Sequence, residues 1–234
     1  MQARARSASP RRSKRTARGR FITFEGGEGT GKSTQTRLLA ERLRSQGLEV
    51  VTTREPGGSP GAEAIRHVLL SGAAKPLGPM AEALLFAAAR ADHIDVTILP
   101  ALSRGAWVIS DRFADSTRVY QGSLGNLDPR MIEALERVTV GDTRPDLTLI
   151  LDLPAEEGLA RAAARSGAGA DRFEAEDIQF HRTLRDAFRE LAEREPARCV
   201  LVDAHGAAES VAAAVWDAVG ERLLNASQKM EKAG

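Results

Sequence analysis

Gly26, Gly27, Gly29 and Gly31 crowd six positions that run directly into Lys32-Ser33-Thr34. Ahead of them Phe21, Ile22 and Phe24 form a β-prone apolar run. Behind them Leu38, Leu39 and Leu43 recur at the three- and four-residue spacing of one helix face. A strand is expected to end near Glu25, and a helix to follow the glycines. Gly26, Gly31, Lys32 and Ser33 satisfy G-x-x-x-x-G-K-[ST]. A loop free of side chains lets backbone N–H groups wrap a phosphate chain at a helix N-terminus. The candidate nucleotide-binding loop is therefore Gly26, Gly27, Glu28, Gly29, Thr30, Gly31, Lys32, Ser33 and Thr34. Lys32 would reach the β- and γ-phosphates, and the Ser33 hydroxyl would sit on Mg²⁺. Lysine occurs only at 14, 32, 75, 229 and 232, arginine being the habitual cation. The loop thus has the compact point charge where it needs one.

Other candidates fall at strand ends. Arg54-Glu55-Pro56-Gly57-Gly58 follows a β-prone run from Leu48 to Thr53, and Arg54 there suits an anion contact at the ligand-binding rim of an open sheet. Asp111-Arg112-Phe113 closes the run from Trp107 to Ser110. A carboxylate at that tip can hold Mg²⁺ through water, and the adjacent guanidinium can fork onto phosphate oxygens. Ser116, Thr117, Tyr120 and Gln121 follow as polar groups able to line a pocket. Phe86 with Arg90 one turn on reads either as core or as a face that stacks on a base and hydrogen-bonds it.

These residues need a frame. The remaining pattern predicts helices over 61–70, 80–104, 128–138, 155–165, 174–195 and 207–224, with further strands at 147–151 and 198–202. Leu84, Leu85, Ile94, Ile98 and Leu102 form the expected apolar side of the longest helix. Five strands alternating with helices predict an α/β fold, a parallel sheet covered on both faces whose carboxyl-edge loops build one site. Arg161 and Arg165 share a helix face ahead of Ser166-Gly167-Ala168-Gly169-Ala170, and Arg172 follows. That segment, about 165–173, reads as a lid bringing cations over a substrate.

Length and composition narrow the class. A chain of 234 residues, 42% hydrophobic, suffices for one such domain, taken as 20–225. Residues 1–20 carry eight arginines and lysines and no acid, so of a net charge of +1 the remainder must supply −7. Residues 1–19 are expected to be a disordered basic extension, with a transit peptide or nucleic-acid arm as the sharper readings. Residues 226–234 are expected to fray. The lone Cys199 excludes a disulfide framework, and the longest apolar run, Ala83 to Ala89, is far short of a membrane span. A soluble cytoplasmic protein without a nucleic-acid partner is expected.

Cations on both sides of the loop suit phosphoryl transfer between two anions. FEGGEGTGKST, TREPGG, LLFAAAR, DRF, STRVYQG, RPDLTLILDL and DRFE resemble, in order, the thymidylate (dTMP) kinases, from about Arg20 to Ala218. The resemblance implies a P-loop NTPase of the nucleoside monophosphate kinase type and transfer of the ATP γ-phosphoryl group to dTMP, with Mg²⁺. It implies that Glu28 binds the deoxyribose 3′-hydroxyl, that Arg54 and Arg112 hold the acceptor phosphate, and that Phe86 stacks on thymine while Arg90 meets its carbonyl. Ser116 and Gln121 match nucleoside-pocket positions, and Tyr120 matches a residue that crowds out a ribose 2′-hydroxyl. Lys32, Asp111, Arg112 and Arg165 are the implied catalytic set. One branch of the family has an arginine after the loop acid; here that position is Gly29. The resemblance is thus to the bacterial-type branch, whose lid supplies the charge: Arg165 first, with Arg161 and Arg172 in support. The family also implies a homodimer. Another nucleoside monophosphate or deoxynucleoside kinase differs in its acceptor. A nucleotide-regulated switch or binding ATPase differs in class, and the guanine-reading Asn-Lys-x-Asp of GTPases does not occur.

Overall fold

The computed structural model describes residues 18–165, 173 and 175–224. The chain joins the fold slightly ahead of the expected start at Arg20. Gly19 is buried, and its N–H donates to the Leu102 carbonyl at 2.9 Å.

Five parallel strands, β1 (Phe21–Glu25), β2 (Val50–Arg54), β3 (Trp107–Asp111), β4 (Leu147–Asp152) and β5 (Cys199–Asp203), lie in the order β2-β3-β1-β4-β5. The central strand is buried along its whole length, as expected where helices cover both faces of a parallel sheet. On one face Ile22, Phe24, Leu147 and Leu149 pack with Leu39 and Leu43 of α1 (Lys32–Ser45) and with Val211 and Val215 of the C-terminal helix Ala208–Val219. On the other, Phe21 and Val108 meet Ile94, Ile98 and Leu102, while Ile150 and Cys199 meet Leu184 and Phe188. Each such large side chain contributes roughly 1.5–3 kcal/mol of burial.

Between β2 and β3 run α2 (Pro60–Leu70) and α3 (Gly78–His93), a π turn over Ile94–Ile98, and α4 (Leu99–Ser103). The expected helix over 80–104 is therefore three segments. Pro100 falls in the first turn of α4, where its missing N–H costs nothing. The expected apolar side is corrected as well: Ile94, Ile98 and Leu102 are core, but Leu84, about 80° round the helix from Ile94, is 48% exposed. After β3 come the short α5 (Ala114–Thr117), a π turn over Arg118–Leu124, and α6 (Pro129–Thr139). After β4 come α7 (Ala155–Arg165) and α8 (Ile178–Arg194); α9 is the helix Ala208–Val219 after β5. The expected helix over 174–195 begins only at Ile178, because Asp177 caps it by accepting from Phe180 N at 2.8 Å.

Candidate active site

The carboxyl ends of β1, β2 and β3 are neighbours in the sheet, and their loops line one cleft. The glycine loop joins β1 to α1, and the helix starts at Lys32 itself. Lys32 is buried, and its Nζ donates to the Gly27 and Gly26 carbonyls at 2.6 and 3.2 Å. Burial and Arg112 lower the Lys32 ammonium from its usual range, against Glu28, Asp111 and Glu25, which raise it. The Thr30 hydroxyl donates to the Gly27 carbonyl at 3.0 Å and steadies the loop from within. Gly29 has φ +67° and backs onto α7: a Cβ there would lie 1.8 Å from the Gly158 carbonyl oxygen. Position 29 has no room for an arginine, so any such charge has to come from another segment.

The turn after β3 carries the opposing charges. Arg112 has φ +70°, a left-handed conformation costing about 1–2 kcal/mol in a non-glycine residue. Neighbours hold it there. Its N–H donates to the Phe24 carbonyl at 2.9 Å, and Ser110 Oγ donates to its carbonyl at 2.7 Å. The reversal aims the guanidinium at Glu28, 2.6 Å away, where the Tyr120 hydroxyl also donates at 2.9 Å. Burial pushes the Glu28 carboxyl up, but Arg112, Lys32 and the Tyr120 hydroxyl outweigh it and hold it near 2. Beneath this pair, buried Glu25 accepts from Phe113 N at 2.8 Å and from Ser116 Oγ at 2.6 Å. Burial first, and Asp115 second, push its carboxyl up to about 7.

Phe86 of α3 also lines the cleft, with Arg90 one turn on. Arg90 is 4% exposed and ion-paired to Glu55 at 2.8 Å. Arg54, at the tip of β2, is 55% exposed and paired with Glu63 at 3.0 Å. The sequence-derived residues Glu28, Gly29, Gly31, Lys32, Ser33, Arg54, Phe86, Arg90, Asp111, Arg112, Ser116, Tyr120 and Gln121 all line this cleft. Gly26, Gly27 and Thr30 face a smaller hollow behind the loop, towards Asp152 and His181. Thr34 is exposed on the first turn of α1. Arg161 donates to the Ala204 carbonyl at 3.1 Å and is not among the cleft residues. Arg165 ends α7, and Arg172 lies outside the described residues.

Sequence reasoning missed Glu25 and Glu55, and it missed Arg66 and Phe173 on the cleft wall, whereas Thr117, read as pocket-lining, does line it. Phe173 packs edge-on against Tyr120, with ring centroids 5.2 Å apart. Glu55 and Phe173 were within reach, since they sit inside TREPGG and DRFE. Ser33 Oγ donates to Asp111 Oδ2 at 2.5 Å. Two hard oxygen donors side by side fit Mg²⁺, which keeps several waters and takes one or two protein ligands beside phosphate oxygens.

A glycine loop on a central β1, a carboxylate and arginine at the tip of β3, and the strand order β2-β3-β1-β4-β5 define a P-loop kinase of the nucleoside monophosphate kinase type. The family model described as "Thymidylate kinase" matches residues 24–215. The chain belongs to the thymidylate kinase family. It is 65% identical over 210 residues to the thymidylate kinase of Bradyrhizobium sp. strain BTAi1, covering 89% of this chain and 93% of that protein. The thymidylate kinase of Nitrobacter winogradskyi is 65% identical as well, with 89% and 91% covered. A crystal structure of thymidylate kinase from Ehrlichia chaffeensis superposes with a TM-score of 0.70 at 34% identity, covering 86% of this chain and 98% of that one.

Proposed function

We infer that the cleft holds ATP and dTMP head to head, and that the enzyme transfers the ATP γ-phosphoryl group to dTMP, giving dTDP for dTTP synthesis. One observation carries the assignment of parts: the phosphate loop and a half-buried aromatic one helical turn from a buried arginine line a single cleft. At the donor end the loop N–H groups and Lys32 take the ATP phosphates, the ammonium exchanging its loop carbonyls for phosphate oxygens. Ser33 and Asp111 would hold Mg²⁺, which when bound neutralises charge on the β- and γ-phosphates.

At the acceptor end Arg112 and the exposed Arg54 bind the dTMP phosphate. Glu28, held ionised by Arg112, accepts from the 3′-hydroxyl. Tyr120, hydrogen-bonded to the same carboxylate, occupies the space a 2′-hydroxyl would need. Phe86 stacks on the base, Arg90 meets its carbonyl, and Ser116 and Gln121 close the nucleoside pocket. Arg165, at the end of α7, supplies charge to the transferring group, with Arg161 and Arg172 as lid supports. The exposed apolar residues of α3 support a homodimer, and ATP as donor supports a cytoplasmic site of action.

An ADP-release assay with dTMP, dUMP, UMP, CMP and thymidine tests the acceptor: dTMP gives the highest kcat/KM and thymidine none. Equal turnover of UMP or CMP rejects it. Arg165→Ala should lower kcat by about a hundredfold or more with little change in dTMP KM. Near-normal turnover moves that role to another arginine.

A further inference from the structure

His93 is fully buried and lies outside the cleft lining. Its Nδ1 is 3.0 Å from Glu55 Oε1, and its Nε2 is 2.6 Å from the Thr53 hydroxyl. An ionised carboxylate can only accept, so Nδ1 carries the hydrogen shared with Glu55. The second carboxylate oxygen, Oε2, accepts from Arg90 Nε at 2.8 Å. Arg90 Nη2 in turn donates to the Phe113 carbonyl at 3.2 Å and the Thr117 hydroxyl at 3.0 Å. Three of the five guanidinium hydrogens are thereby directed at protein. Among the described residues Nη1 makes no hydrogen bond, so it is the nitrogen left for a ligand in the cleft that Arg90 lines.

We propose that His93 is a positioning residue: through Glu55 it fixes the direction of the Arg90 guanidinium and so sets which base the cleft accepts. This rests on the reading that Arg90 meets the base carbonyl. His93 and Arg90 stand three residues apart on α3, so both reach the same carboxylate from one face. A glutamate held at one oxygen can still rotate its carboxylate; held at both, it cannot. The β2 loop is shaped around this chain of contacts. Gly58 has φ +86°, and a Cβ there would lie 2.3 Å from Thr53 Oγ1 and 2.5 Å from His93 Nε2. Thr97, one turn beyond His93, donates to the Gly58 carbonyl at 2.7 Å and holds the loop against the ring.

The consequence is selectivity at one position of the pyrimidine. A guanidinium donor aimed at C4 accepts the carbonyl of dTMP and opposes the amino group of dCMP, because two donors then face each other. A guanidinium that can swing loses part of that difference. His93→Leu removes the Nδ1 donor. His93→Asn restores a donor at the Nδ1 position. Thr53→Val is a milder change of the same shape that leaves Nε2 without its partner.

Steady-state kinetics with dTMP and dCMP, and with ATP varied, test this. His93→Leu should raise dTMP KM by about tenfold or more, leave ATP KM within about twofold, and narrow the dTMP/dCMP ratio of kcat/KM. Thr53→Val should move both in the same direction by less, and His93→Asn should recover most of the ratio. Should His93→Leu fail to fold, Thr53→Val alone decides. An unchanged ratio in the folded variants, or a loss spread equally over ATP KM, overturns the proposal. Arg90→Met separates the two readings. If it leaves the ratio intact, the assignment of Arg90 to the base falls, and the role of His93 with it. If it collapses the ratio while His93→Leu and Thr53→Val do not, only the role of His93 falls.

Discussion

Glu25 ends the central strand, fully buried, with its carboxyl raised from 4.5 to about 7. The folded chain therefore holds that proton more tightly than the unfolded chain does. The resulting stabilisation is fully present below about 4.5 and is lost as pH climbs through about 7. Glu28 acts in the opposite sense, but its window lies lower, between 4.5 and about 2. Urea unfolding of wild type and Glu25→Gln from pH 5 to 8 isolates the first effect. Wild type should lose about 3 kcal/mol relative to the variant as pH rises; a difference independent of pH would mean that Glu25 stays ionised throughout. Residues of this kind mark the limit of reading by eye. Lys32 and Ser33 were legible because the motif fixes both type and spacing. Glu25 was not, because what makes it special is a turn more than eighty residues on that folds back to give it Phe113 N and Ser116 Oγ. Glu55 stood inside a legible motif, but what it does there depends on partners that α3 delivers from across the loop.

The phosphate loop and α7 touch through two glycines. A Cβ on Gly158 would lie 2.4 Å from the Glu28 carbonyl oxygen, the reciprocal of the Gly29 contact. Glycine to alanine inside a helix normally gains about 0.5–1 kcal/mol. Gly158→Ala should instead cost about 1–3 kcal/mol, because the added methyl meets backbone rather than a side chain that can swing away. The loop would be pushed off α7, and kcat/KM for ATP should fall about tenfold. A variant more stable than wild type with normal ATP kinetics would mean the two segments separate freely. The elements themselves were mostly legible from periodicity, since strands such as FITFE and LTLIL are mostly apolar and their helices keep one face. The π turns at Ile94–Ile98 and Arg118–Leu124 were not. Inserting one residue into a helical turn leaves composition unchanged but rotates everything after it relative to what came before.

At the scale of the whole molecule, β1 lies between β3 and β4, so the first strand's loop is flanked by the loops that carry its partners. The connection from β2 to β3 must cross the sheet's face, and it does so as α2, α3 and α4. Their inner sides cover Phe21 and Val108. Their outer side is unusual in what it leaves uncovered. Met80, Leu84 and Ala88 stand at four-residue spacing on α3 and are exposed, and Leu77, 66% exposed, precedes them. An apolar stripe on the helix that also carries Phe86 and Arg90 is a natural seat for a second copy of the same chain, since one contact patch then serves both protomers. Sedimentation velocity should give the wild-type protein twice the chain mass of 25.1 kDa, and Leu84→Glu, which puts a carboxylate in the middle of the stripe, should return it to a single chain. Because α3 also carries Phe86 and Arg90, the proposed base-binding residues, dTMP KM should rise in that variant as the helix loses its support, while ATP KM stays close to normal. A wild-type protein that sediments at 25.1 kDa at micromolar concentration would remove the dimer. A Leu84→Glu protein that still pairs would move the contact to another face.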